Sequence, residues 1–254
     1  ARSAPMPLAN GSPGTLLALD QLLTGYVNMW SGRHFWLDAV ARTFTSLYAL
    51  RMGVLLTIAW LVWARQGLAS AAMRLYLLRF ALGVVLALAV ARILNAVTFF
   101  RARPALDAGW QLPRFTSDVA MTAQDLHFRD ANSFPSDHAS LSFAIATAIF
   151  RLAPGWGGLA YAWAAFGVCL PRIFLGDHYV GDVVAGAVLG VAAMSLSLRL
   201  PVPAALLALA DQAERRCPGL TVALAFLLSA FCFTMFYDVQ LALAGLHDAR
   251  AATP

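Results

Sequence analysis

Two short stretches of this 254-residue chain bring together side chains that could move a phosphoryl group. The first is Ser133-Phe134-Pro135-Ser136-Asp137-His138, and the second runs from Arg172 through His178 to Asp182. His178 and Asp182 are four residues apart, so on a helix they share one face. A carboxylate in that position can take the proton on one imidazole nitrogen and leave the other free to attack. Pro135 suits a helix start, with Ser136 and Asp137 in the first turn, where unpaired N–H groups favour an anion. Arg103 precedes Pro104 and supplies a further cation. Two histidines, two arginines and an orienting aspartate suit attack on phosphorus by one imidazole and protonation of the departing oxygen by the other. The arginines and helix N-termini would hold charge on the equatorial oxygens. No metal and no cofactor is required for that chemistry.

These residues must be held by elements that the composition places in a membrane. Apolar residues make up 60% of the chain and charged residues 12%, with a mean hydropathy of +0.69. A soluble domain carries about 25% charged residues. The disordered, collagen-like and disulfide-rich classes fail on the same numbers. All 18 basic residues are arginine, which excludes Schiff-base chemistry and a phosphate-loop lysine and leaves planar forks suited to phosphate. The net charge of +5 fits arginines that set membrane topology rather than nucleic-acid binding. Cys169, Cys217 and Cys232 are scattered and fit packing.

The hydropathy pattern predicts an all-α polytopic protein. Residues 16–30 form an amphipathic interfacial helix anchored by Tyr26 and Trp30, followed by six spans near 41–64, 78–100, 136–153, 156–172, 178–198 and 219–238. Residues 1–14 and 247–254 are expected to be tails flanking one domain over 15–246, without a secretory signal or internal repeat. The 65–79 connection carries Arg65, Arg74 and Arg79, the third-to-fourth turn Arg151, and the stretch after the fifth span Arg199, Arg215 and Arg216. The positive-inside rule makes those loops cytoplasmic. The 101–135 loop and the 171–178 turn, with every residue of the two clusters, then share the opposite face.

Arg103-Pro104, PSDH at 135–138 and RIFLGDHYVGD at 172–182 resemble the three motifs of the type 2 phosphatidic acid phosphatase superfamily, whose usual forms are KxxxxxxRP, PSGH and SRxxxxxHxxxD. The resemblance implies a metal-independent lipid-phosphate phosphatase. His178 would be the nucleophile that forms a phosphohistidine, Asp182 its orienting partner, and His138 the acid that protonates the leaving group and later activates water. Arg103, Arg172 and Ser136 would bind the phosphoryl oxygens. Three positions depart from the pattern: the first-motif lysine falls on Ala96, the second-motif glycine on Asp137 and the third-motif serine on Pro171. Arg101 or Arg92 could replace the lysine, and Asp137 could cap its helix or touch substrate. The first two departures, the SFPSDH segment and the Leu37-Asp38 step are similar to the bacitracin-resistance branch of undecaprenyl diphosphate phosphatases. That likeness implies a bacterial inner-membrane enzyme with a periplasm-facing site, cleaving a polyprenyl diphosphate to the monophosphate carrier.

The same mechanism would serve phosphatidylglycerol phosphate, phosphatidate or a lipid A phosphate, or transfer to another lipid. An anion transporter would place such residues near the midplane rather than at one face. A metallohydrolase using His138, His178 and Asp182 would set a dication beside repelling arginines. His34, His127 and His247 have no motif around them, and Gly186-x-x-x-Gly190 fits close helix packing without chemistry.

Overall fold

The computed structural model describes residues 15–67, 70–107 and 132–235. Among these all regular structure is helical, as the hydropathy pattern predicts. The expected tails, most of the 104–134 loop, His127 and His247 lie outside the described residues. Helix α1 (Thr15–Asn28) is followed by α2 (Phe35–Ser46), a π-helical turn (Ala49–Gly53) and α3 (Val54–Gln66). Next come α4 (Ala71–Val97), α5 (Asp137–Leu152), and α6 (Pro154–Ala162), which runs through a second π-helical turn (Trp163–Cys169) into α7 (Leu170–Phe174). The chain continues with α8 (Val180–Arg199), α9 (Ala204–Arg216) and α10 (Leu220–Phe233).

Helix α5 is the axis of the bundle, with α3, α4, α6 and α8 packed around it. Its inner residues are mostly small, and Ala139, Leu141, Ala144, Ile145 and Ala148 are fully buried. Close approach of α8 depends on glycine. A Cβ on Gly186 would stand 2.3 Å from the carbonyl oxygen of Ser136, and one on Gly190 would stand 2.1 Å from that of Ser140. At the far end from the two clusters, Trp63 meets Phe80 edge-on with ring centroids 5.0 Å apart. There Ser70 caps α4 by accepting from the Met73 N–H at 3.2 Å. Gly67, at φ +77°, ends α3 in the left-handed conformation that only glycine adopts without strain.

Among the described residues, three stretches are long and apolar enough to cross a membrane: Ala71–Val97, Pro154–Phe174 and Val180–Arg199. Two bent pairs raise the number to five, α2 with the π turn and α3 (76°) and α9 with α10 (108°). The expected count of six is therefore not confirmed by length and composition among the described residues. Helix α5 has 16 residues, about 24 Å at 1.5 Å per residue, and is enclosed by its neighbours instead of facing lipid. The expected 41–64 span is broken where Leu47 turns extended (φ −85°, ψ 113°) before the π turn. Helix α9 was not expected: Asp211, Glu214, Arg215 and Arg216 dilute its hydropathy, and none of its residues is buried.

Candidate active site

The C-terminal end of α4 and the N-terminal ends of α5 and α8 meet at one end of the bundle. Asn132 ties the strands of chain there. Its side chain donates to the carbonyls of Asn95 (3.1 Å) and Phe99 (3.0 Å) and accepts from the Arg101 N–H at 3.1 Å. Asn95 returns a bond to the Asn132 carbonyl at 2.7 Å. Two helix starts are joined directly, since the Ser136 N–H donates to the Asp182 carbonyl at 3.1 Å.

His178 lies two residues before α8, not on it, because Tyr179 is the N-cap. The four-residue spacing therefore does not place His178 and Asp182 on one helical face. The Nδ1–H of His178 is donated to the Ser133 carbonyl at 3.0 Å, and the nearest Asp182 oxygen is 3.8 Å away. Asp182 is occupied elsewhere. Its carboxylate accepts from the Tyr179 N–H (2.9 Å), from Arg101 Nη1 (2.8 Å) and from the Ser133 hydroxyl. It thus closes the first turn of α8 in the manner of a capping-box acid and holds His178 through Ser133. With the proton on Nδ1, His178 keeps a lone pair on Nε2. His178, 3% exposed, lines a cavity of about 20 Å³ with Arg92, Asn95, Arg103, Asn132 and Asp137.

His138, in the first turn of α5, is held from both sides. Its Nδ1 stands 2.8 Å from Asp137 Oδ1, and its Nε2 stands 3.1 Å from Arg51 Nη1. A guanidinium only donates, so Nε2 accepts and the ring is neutral with its proton shared toward Asp137. Both histidines carry the same tautomer. Arg172 is buried, 3.6 Å from the Asp177 carboxylate, and lies within electrostatic reach of His138, Arg51 and Arg103. Arg103 reaches the Asp177 carbonyl at 3.4 Å.

The remaining expected residues divide. Ser136 is fully buried and its hydroxyl accepts from the Ala139 N–H at 3.4 Å, the role of a helix cap. Arg92 pairs with Asp137 at 2.8 Å and keeps a 45% exposed side chain at the cavity. Arg101 is committed to structure: it pairs with Asp182 (2.8 Å) and Asp20 (2.5 Å) and stacks 3.7 Å over the Tyr179 ring. Burial, the Asp107 acceptor and the Asp182 charge push the Tyr179 hydroxyl pKa up, while Arg101 opposes them, so it stays a donor to Asp107 at 3.0 Å. Asp20 also accepts from the Gly181 N–H at 2.6 Å, which locks α1 onto the start of α8. Sequence reasoning took in Ser133 only as part of its motif stretch, without a role of its own, and missed Asp20, Asn95, Asn132 and Arg51. Only Arg51 left a signal, as a charge inside an apolar run.

The motif residues therefore meet at one site although 75 residues separate Arg103 from His178. The profile of the PAP2 superfamily matches residues 76–205, which contain all three motifs. The chain belongs to the PAP2 superfamily. It is a multi-pass membrane protein by its apolar helices. Over 60 residues it is 50% identical to the bacitracin transport permease protein BcrC of Bacillus licheniformis, a stretch covering 24% of this chain and 29% of that relative. The chain thus matches less than a third of the relative's length. No solved structure matches significantly.

Proposed function

We propose that the protein is a metal-independent phosphatase of lipid phosphates that prefers a polyprenyl diphosphate and works through a phosphohistidine on His178. The observation that carries this reading is the bond from His178 Nδ1 to the Ser133 carbonyl at 3.0 Å, which leaves Nε2 unprotonated against a cavity lined by Arg92 and Arg103. Nε2 attacks phosphorus, Arg103 and Arg172 meet the charge on the equatorial oxygens, and His138 exchanges a proton on the opposite side. Arginines around both histidines oppose a dication there, so the reaction runs without metal. Family membership and the partial identity to BcrC support the polyprenyl substrate. The arginine-rich loops at the other end of the bundle support a bacterial inner-membrane location with the site toward the periplasm.

The test is phosphate release by protein purified in detergent, in EDTA, from undecaprenyl diphosphate, phosphatidylglycerol phosphate and phosphatidate. The expected result is release chiefly from the diphosphate, lowered at least about 10³-fold in His178→Ala, the scale of losing an attacking group. Release chiefly from a glycerolipid overturns the substrate, and undiminished release by His178→Ala overturns the mechanism.

A further inference from the structure

Arg51 stands in the π-helical turn between α2 and α3, outside all three motifs, and its side chain is as buried as those of the motif residues. π-Helical turns within helices are frequent at functional sites. One face of the Arg51 guanidinium lies 4.1 Å from the centroid of the Tyr48 ring, and Nη1 donates to His138 Nε2 at 3.1 Å. Its buried Nε has no hydrogen-bond partner among the described residues, and no carboxylate there forms an ion pair with it. Arg172, a second buried cation, is its electrostatic neighbour. Asp177 and Asp137 act on Arg51 only from a distance, and the Asp177 carboxylate already stands 3.6 Å from Arg172. A buried guanidinium without a close counter-ion is costly, and a second cation beside it adds to the cost. The arrangement is that of a site whose anion is its ligand.

We propose that Arg51 binds the leaving phosphate of a diphosphate substrate and so selects diphosphates over phosphate monoesters. The inference rests on the phosphatase reading above, in which His178 attacks from one side of phosphorus and His138 lies on the other. In an in-line displacement the leaving oxygen departs on the His138 side, where Arg51 Nη1 is already bonded to the ring. A monoester releases an alkoxide, which needs a proton. A diphosphate releases a phosphate, which needs a cation, and a planar guanidinium meets two of its oxygens at once. His138 in this tautomer has no proton on Nε2 to give, but Arg51 has charge to offer.

The Nε2 lone pair of His178 forms the N–P bond to the terminal phosphorus while the bridging P–O bond breaks. Its electron pair stays on the bridging oxygen, which leaves as the lipid monophosphate on Arg51. Turning to that phosphate takes Arg51 off His138 and frees its Nε2. Water then attacks the phosphohistidine and gives its proton to that nitrogen, and the N–P electron pair returns to His178 as inorganic phosphate departs.

The test compares kcat/KM for farnesyl diphosphate with that for whichever monoester, farnesyl monophosphate or phosphatidate, the unaltered protein turns over faster. A ratio cancels any loss of folded protein. In Arg51→Ala the diphosphate-to-monoester ratio falls about tenfold or more, since one electrostatic contact to a transition state is worth about 10²–10³, and Arg51→Lys restores part of it. Titration calorimetry with inorganic diphosphate and inorganic phosphate gives the same ordering, with diphosphate affinity lost preferentially. A smaller change in both the kinetic ratio and the binding ratio overturns the assignment. Failure of the unaltered protein to release phosphate from any of these lipids sinks the phosphatase reading instead, and is seen before any variant is made.

Discussion

Ser133 serves both halves of the His178 mount. Its carbonyl accepts the Nδ1–H, and its hydroxyl donates to the Asp182 carboxylate, which is fully buried. Ser133→Ala keeps the carbonyl but removes one of Asp182's donors inside the protein. The expected result is a loss of about 1–2 kcal/mol in stability and about tenfold in kcat through a less fixed imidazole. Thermal unfolding and phosphate release check it, and an unchanged kcat would show that Asp182 does not act through Ser133. At this scale the histidines, Arg103 and Arg172 were legible because motif spacing survives in the chain. The carbonyl acceptor was not, because a backbone group 45 residues from His178 leaves no trace in side-chain types. Nor could residue types show that Arg101 would be taken up by Asp20 and Asp182, or that Arg51 would turn inward to His138 and not outward to the interface.

Helix α5 carries His138 in its first turn and His178 lies just ahead of α8, and the distance between the two helix starts is set by Gly186 and Gly190. Gly186→Ala would press a Cβ into the Ser136 carbonyl at 2.3 Å and against the Ala139 Cβ at 3.0 Å. Overpacking of this kind costs about 1–3 kcal/mol, and here it also spreads the site. Gly157→Ala makes as tight a clash, 2.2 Å from the Phe150 Cα, but at the opposite end of α5. Both variants are expected to melt earlier, whereas activity per folded molecule falls about tenfold only in Gly186→Ala, on the scale of small misplacements in a site. Equal activity losses would contradict the account. The glycine spacing told of close packing in advance; that the packing serves the chemistry became visible only with the Ser136–Asp182 backbone bond in place. Breaks were illegible for a different reason: a hydropathy window averages across Leu47 and across the α9–α10 corner without sensing a change of direction.

For the whole molecule, the helical class and the convergence of the motif residues followed from hydropathy and motif order, while the number of crossings did not. A short apolar helix such as α5 is chemically indistinguishable from a lipid-facing span until its neighbours enclose it. Sidedness has a natural reporter. Cys169 and Cys232 are buried and Cys217 is exposed, in the turn after α9, which Arg74 and Asp211 (2.6 Å) hold beside the start of α4, away from His178. On the proposed sidedness, which puts the arginine-rich loops in the cytoplasm, a membrane-impermeant maleimide is expected to label Cys217 in inverted vesicles and to spare it in intact spheroplasts. Labelling from the periplasmic side would place the site toward the cytoplasm.

The central claim is the covalent intermediate. Its most direct measurement is acid-labile, base-stable phosphoryl label on the protein after mixing with diphosphate labelled in its terminal phosphoryl group, mapped by mass spectrometry. In the proposed mechanism His138 accepts the proton of the hydrolytic water, so His138→Ala should accumulate label on His178, and His178→Ala should carry none. Label on another residue, or turnover of the lipid without label in the His138→Ala protein, would contradict it.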